Sequence, residues 1–66
     1  MNHQSIKTLR VNNNATQKEI ADFCGISIKT YQRIESGQRK GDVAFWRKLA
    51  AFYSTTIDDL LRQVAD

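Results

Sequence analysis

The fold is decided by residues 16–36, TQKEIADFCGISIKTYQRIES. Apolar residues recur at helical spacing on both sides of positions 24–26, which predicts two short helices joined by a tight turn. Gly25 suits this turn because glycine adopts positive φ without a Cβ clash, and Ser27 suits the N-cap of the second helix. The apolar set comprises Ile20, Ala21, Cys24, Ile26, Tyr31 and Ile34. This layout predicts a helix-turn-helix, whose second helix is expected to enter the DNA major groove.

The residues left on the outside of the second helix are mostly long and polar or basic. Lys29 and Arg33 could each donate to guanine O6 and N7, although phosphate contact or no contact are the alternatives. Gln32 could bond adenine, but its position could also direct it away from the groove. Ile28 cannot recognise a hydrogen-bond pattern. It either packs against a thymine methyl group or indicates that this face binds something other than DNA.

Length and composition predict one small domain that spans residues 1–66. The chain has no proline and only three glycines, which favours an all-helical structure. Its single cysteine cannot form an internal disulfide, so a reducing cytoplasm is expected. No apolar run approaches the roughly 20 residues of a membrane span, and the N-terminus lacks the apolar centre of a signal peptide. We therefore expect no membrane partner.

The net charge of +3 is concentrated in one part of the chain. Residues 27–41 carry +3, residues 1–26 carry +1 and residues 42–66 carry −1. A basic run is often only a solvated helix face, but here it coincides with a helix-turn-helix, which favours the docking of a polyanion. Arg39 and Lys40 are accordingly predicted to contact phosphates, with exposed loop charges as the alternative.

Helix boundaries follow from capping residues. The first helix is predicted from Gln4 to about Asn12 and is followed by an asparagine loop, interpreted as a plain connection in preference to DNA-contacting amides. Thr16 and Glu19 predict a capping box for a second helix that ends near Cys24. The third helix is predicted over residues 28–35, and Ser36-Gly37 would end it.

Two more helices complete the prediction. Asp42 would cap a helix over residues 43–53, whose aromatic stripes are interpreted as core in preference to a ligand site. Thr56 would cap a last helix, with Asp58 and Asp59 complementing its dipole. The apolar stripe of that helix could close the core in part and meet a second subunit in part. The stripe comprises Ile57, Leu60, Leu61 and Val64.

No group of residues predicts catalysis, a cofactor or a metal. Cys24 is expected to be a small buried residue, and one thiol without a nearby histidine makes neither a nucleophile nor a zinc site. His3 is expected to lie in a frayed terminus. Tyr31 is expected in the core with its hydroxyl at the edge. The sequence therefore predicts a protein that is not an enzyme.

Taken together, these residues resemble the phage repressor and Cro family of helix-turn-helix regulators, also called the XRE family. The resemblance is carried by TQKEIADFCGIS and TYQRIESGQR, with IKTLR, KLAAFY and TTIDDLL around them, and it covers residues 6–61. It implies an all-α fold, a five-helix lambda-repressor-like bundle with a helix-turn-helix. It also implies binding to double-stranded operator DNA, usually as a symmetric dimer.

The resemblance also implies residue roles. The residue matching Gln17 contacts a phosphate, which agrees with the affinity of helix N-termini for anions. Arg10 and Glu35 match an ion pair that ties the first helix to the third. Positions 27–29 and 33 match residues that face the major groove, and positions 38–40 match residues along the DNA backbone. The candidate DNA contacts are Gln17, Lys18, Ser27, Ile28, Lys29, Gln32, Arg33, Gln38, Arg39 and Lys40.

Three departures from the family pattern suggest a looser periphery. The loop after Gly37 lacks a proline, and Ala15 and Thr55 replace larger apolar residues. These changes do not predict a different fold.

Two functions remain open at this stage. The first is a transcriptional regulator, most simply a repressor that forms a weak homodimer strengthened on DNA. The second is a protein-interaction module on the same fold, such as an antirepressor or antitoxin-like partner, which would use Ile28 and the last helix. Steep weakening of binding by salt would indicate the first.

Overall fold

Five helices surround one apolar cluster in the computed structural model, which describes residues 5–64. They are α1 (Ile6–Asn12), α2 (Gln17–Cys24), α3 (Ile28–Glu35), α4 (Val43–Phe52) and α5 (Ile57–Val64). No strand occurs in the described range, so the predicted all-α, five-helix fold is confirmed. Helix α2 packs against α3 and α4, and α4 packs against α5. The expectation for His3 lies outside the described residues.

Side chains at the helix starts satisfy backbone N–H groups that have no partner within the helix. Thr16 accepts from the Glu19 N–H at 3.0 Å, and the Glu19 carboxylate accepts from the Thr16 N–H at 2.7 Å, which confirms the capping box. The predicted caps of α3, α4 and α5 are also confirmed. Ser5 caps α1, so this helix begins at Ile6 and not at Gln4 as predicted. The remaining caps are Ser27, Asp42 and Thr56, which accept at 3.0, 2.8 and 3.1 Å.

The turn between α2 and α3 has the predicted geometry. Gly25 has φ +72°, a left-handed conformation that a Cβ would strain. The Ile26 N–H then donates back to the Ala21 carbonyl at 3.0 Å, which closes the end of α2. Ala21 is only 1% exposed and belongs to the core cluster, on a helix that packs against both α3 and α4. The turn and the small residue together fix the direction in which α3 leaves α2.

The core is formed mainly by residues from the predicted stripes. Tyr31, Ile20, Leu49 and Leu60 are the largest fully buried side chains. The α4 aromatics are buried or half-buried against this cluster, which supports core packing over a ligand site. The expectation for the Tyr31 hydroxyl is wrong. Tyr31 as a whole is 0% exposed, since it lies on the side of α3 that packs against the hydrophobic core.

The loop before α4 is held without a proline. A Cβ at Gly41 would collide with the Phe45 ring, so glycine permits a close approach of the loop to the core. Ala15, another departure from the family pattern, is buried, and its carbonyl accepts from Arg10 at 3.0 Å. No helix in the described range combines the length and the apolar character that a membrane span requires.

Candidate nucleic-acid interface

The exposed face of α3 carries the residues predicted to recognise bases. Lys29, Gln32 and Arg33 are exposed, and Ile28 is 44% exposed, which is less than the exposure of Val11 or Phe23. Ser27 is exposed too, but its hydroxyl is engaged in capping α3 and lies 2.9 Å from the Thr30 hydroxyl. These five residues are therefore all exposed at the start and along the outside of α3, whereas Tyr31 on the same helix is buried.

The start of α2 lies beside this face. Gln17 is half-buried, whereas Lys18 is exposed. The Lys18 ammonium group is 2.9 Å from an Asp22 carboxylate oxygen, and both side chains are largely exposed. This i, i+4 pair holds Lys18 only weakly, because water and salt screen an ion pair between exposed side chains. Lys18 can consequently exchange Asp22 for another anion at small cost.

The loop after α3 folds back onto the end of that helix. Gly37 has φ +85°, and the N–H groups of Gln38 and Arg39 both donate to the Arg33 carbonyl, at 2.9 and 3.2 Å. These bonds hold the loop next to the basic face of α3. Gln38, Arg39 and Lys40 are all exposed.

The cations of α3 and of the loop after it have no acidic partner within the described residues. The three ion pairs found there are Arg10–Glu35, Lys18–Asp22 and Arg62–Asp59. A group of unpaired cations on one face attracts polyanions and repels other cations. The unpaired cations of α3 and its following loop are Lys29, Arg33, Arg39 and Lys40.

A partly buried ion pair lies behind the face. Arg10 Nε is 2.7 Å from Glu35 Oε2, and Nη2 is 3.3 Å from Oε1. The two side chains are 13% and 6% exposed. Burial acts to raise the pKa of Glu35, but hydrogen bonds from Arg10 and Gln17 outweigh it and hold that pKa below its ordinary value. The pair implied by the family resemblance is therefore present and ties α1 to the end of α3.

The Tyr31 and Tyr53 hydroxyls are buried and form no hydrogen bond of standard geometry. Burial raises the pKa of Tyr31, and the nearby Glu35 carboxylate adds to the rise. Burial also raises the pKa of Tyr53 to about 12. Both phenols therefore stay neutral beside the ion pair at physiological pH.

A hydrogen-bond chain that the sequence did not predict connects the ion pair to the exposed face. Gln17 Nε2 donates to Glu35 Oε1 at 3.0 Å, and Gln32 Nε2 donates to Gln17 Oε1 at 3.1 Å. Gln17 and Gln32 are far apart in sequence, and only the crossing of α2 and α3 brings them together. No local sequence signal could have indicated this contact.

The residues considered for other chemistry do not form a reactive site. Cys24 is buried, and burial raises the pKa of its thiol despite the opposing charge of Lys48. Asp58 and Asp59 lie in the first turn of α5, and Asp59 pairs with Arg62. Among residues 5–64, no three His, Cys, Asp or Glu side chains are grouped closely enough to hold a metal ion.

Comparison with known proteins gave one match. A family model described as helix-turn-helix matches residues 6–60, which include all five helices up to Leu60. Neither the curated proteins nor the solved structures gave a significant match.

Proposed function

Because this chain belongs to the Cro/C1-type helix-turn-helix family, the XRE family, we propose that it is a repressor that binds a near-palindromic operator as a dimer. Members of this family are DNA-binding transcription regulators and not enzymes. We assign its action to the cytoplasm, without a cofactor, and take residues 1–66 as one domain.

The observation that carries this proposal is the basic, open face of α3 with the loop beside it. Lys29 and Arg33 are assigned to base edges, where each can donate to guanine O6 and N7. Arg39 and Lys40 are assigned to phosphates, which position the protein on the duplex. The full contact set is Gln17, Lys18, Ser27, Ile28, Lys29, Gln32, Arg33, Gln38, Arg39 and Lys40.

The start of α2 adds a further phosphate contact in this assignment. The first N–H groups of a helix attract anions because they lack partners within the helix and lie at the positive end of its dipole. Gln17 uses one N–H for Glu35 and keeps a second for a phosphate oxygen. Lys18 would exchange its ion pair with Asp22 for a phosphate of the DNA backbone.

Dimer formation is assigned to apolar surface near α5. Leu61 is 38% exposed, and it lines a groove of about 470 Å³ together with Trp46 and Val64. The groove is also lined by the cations Arg39 and Lys40, which would repel their counterparts in a second copy, so we propose a weak dimer that becomes firm when two half-sites are bound together. Two recognition helices would then lie about 34 Å apart on one side of the duplex.

The second candidate is a protein-interaction module, and the exposure of Ile28 favours it. In this candidate the chain itself is the antirepressor or antitoxin-like module, and Ile28, which is 44% exposed, would anchor another protein together with the last helix. The surrounding cations Lys29 and Arg33 oppose an apolar interface as the only role of this face.

Salt dependence separates the two candidates. Affinity for a labelled duplex is measured by fluorescence anisotropy from 50 to about 200 mM salt, where each neutralised phosphate adds about −0.9 to the logarithmic slope. Lys40→Ala is expected to make the slope less steep by about 1 per bound subunit. Arg62→Ala removes an equal charge from α5 and is expected to leave the slope unchanged. A flat salt dependence of the unmodified protein, or equal effects of the two variants, would refute the assigned DNA-binding face.

A further inference from the structure

We propose that Glu35, acting through Gln17, fixes the amide orientation of Gln32 so that Gln32 recognises adenine and rejects guanine. This inference rests on the proposed function and specifies one of its base contacts. Gln17 is a positioning residue in this scheme, since it acts on the base through Gln32.

The orientation follows from the chemistry of the chain's first member. Glu35 is ionised, because its pKa is held below the ordinary value, and an ionised carboxylate can only accept hydrogen bonds. The Gln17 amide must therefore turn its NH₂ group toward Glu35, 3.0 Å away. Its oxygen is then left to face Gln32.

The Gln17 amide fixes the orientation of the Gln32 amide in the same way. The Gln17 oxygen can only accept, so Gln32 must present its NH₂ group to it, at 3.1 Å. Isolated amides can exchange their oxygen and nitrogen positions by a half-turn about the last side-chain bond. Here that half-turn would place two oxygens together and would break the chain, so one orientation of Gln32 is favoured.

Gln32 lies on the same exposed arc as the other assigned base contacts. At about 100° per residue, Gln32 projects roughly 40° from Ile28 and roughly 60° from Lys29 on the opposite side. The position of Gln32 on the helix therefore favours a side chain that faces the groove over one that points away from it. Its bond to Gln17 also restrains an otherwise mobile exposed side chain.

The two unused groups of Gln32 match adenine. Its oxygen accepts no hydrogen bond within the described residues, and its NH₂ group keeps one proton. Adenine offers the N6 amine as a donor and N7 as an acceptor in the major groove. Guanine offers two acceptors, O6 and N7, so the Gln32 oxygen would face the O6 of guanine without a proton between them.

The operator is first identified by selecting bound sequences from a random duplex pool. The test then compares adenine with guanine at each A·T pair of that operator. Affinities of the unmodified protein, Gln32→Ala, Gln17→Met and the control Gln38→Ala are measured on duplexes that carry single A·T to G·C changes. At one pair in each half-site, the unmodified protein is expected to prefer adenine by about tenfold, within the range for a bidentate contact. Gln32→Ala should abolish that preference.

Gln17→Met is expected to lower the same preference by about fivefold, the effect of losing one orienting hydrogen bond. It also removes a phosphate contact, but this loss lowers affinity for both bases alike and cancels in the ratio. Gln38→Ala should lower affinity without changing any ratio. Adding Gln17→Met to Gln32→Ala should not change the ratio further, because both act on one contact.

An unchanged base ratio in Gln32→Ala at every position would overturn this inference, as would a Gln17→Met ratio equal to that of the unmodified protein. Thermal unfolding of Gln32→Ala and Gln17→Met, monitored by circular dichroism, checks that both variants are folded at the temperature of the binding assay. Arg33→Ala is measured in the same assays. If it alters base preference while Gln32→Ala does not, the proposed function stands and only the inference about Gln32 fails. If no operator can be selected at all, both fail.

Discussion

Removal of the Glu35 carboxylate is expected to destabilise the fold by about 3 kcal/mol, the lower end of the range for breaking a buried ion pair. Glu35→Ala leaves Arg10 only 13% exposed and without its anion. The lower end applies because Arg10 keeps one hydrogen bond, from Nη1 to the Ala15 carbonyl at 3.0 Å. The Gln17 amide loses its acceptor as well, which adds a smaller loss because Gln17 is half-buried.

This loss is large for so short a chain. Stability of about 0.05–0.15 kcal/mol per residue gives roughly 3–10 kcal/mol for 66 residues, so the variant is expected to lose a third or more of its stability. At about 4–8 °C per kcal/mol, the midpoint of thermal unfolding should fall by roughly 12–24 °C.

The assay is urea unfolding followed by circular dichroism and by the fluorescence of Trp46, the single tryptophan. Arg10→Ala is expected to cost a similar amount, since it leaves the buried carboxylate unpaired. The double variant Arg10→Met, Glu35→Leu has no unpaired charge and should lie within about 1 kcal/mol of the unmodified protein. Single losses below about 1 kcal/mol would show that the pair behaves as an exposed one, and the account of its burial would then be wrong.

Three other outcomes are expected. Because the folded-state pKa of Glu35 is lower than its ordinary value of 4.5, the contribution of Glu35 to the free energy of unfolding should be complete above about pH 5.5 and should decrease as the pH falls below 4.5. The stability difference between the unmodified protein and Glu35→Gln, measured by urea unfolding, should therefore shrink as the pH falls. A difference that does not depend on pH would contradict this. Cys24 should not react with a thiol reagent at pH 8 until urea unfolds the protein, because it is buried and its pKa is raised, and fast labelling of the folded protein would contradict its burial. If Ile28 packs on a thymine methyl group, deoxyuridine at that position should weaken operator binding of the unmodified protein but not of Ile28→Ala, whereas equal weakening of both would exclude the contact.

Local features of the chain were predictable from its sequence because they depend on neighbouring residues. The capping box of Thr16 and Glu19, the turn at Gly25 and the stripe that buries Leu60 all follow from spacing along one segment. The Lys18–Asp22 pair could likewise be expected from its i, i+4 spacing on one helix.

Features that depend on packing between segments were predicted less well. Helical periodicity indicates which side of α3 is buried but not how deeply, so the Tyr31 hydroxyl was wrongly placed at the edge. The start of α1 was predicted too early, because the Ser5 hydroxyl caps the helix and Ile6 is its first residue. The Gln17–Gln32 contact depends on how α2 crosses α3, and neither residue indicates the other.

The most direct test of the central claim is selection of bound sequences from a random duplex pool at moderate salt, with the unmodified protein, Arg33→Ala and the control Arg62→Ala. We expect the unmodified protein and Arg62→Ala to enrich one near-palindrome with half-sites about 10 base pairs apart. Arg33→Ala should lose the preference at one or more positions of each half-site. Failure to enrich any sequence, or enrichment of the same sequence by Arg33→Ala without loss at any position, would contradict the assignment of α3 as the helix that recognises the operator.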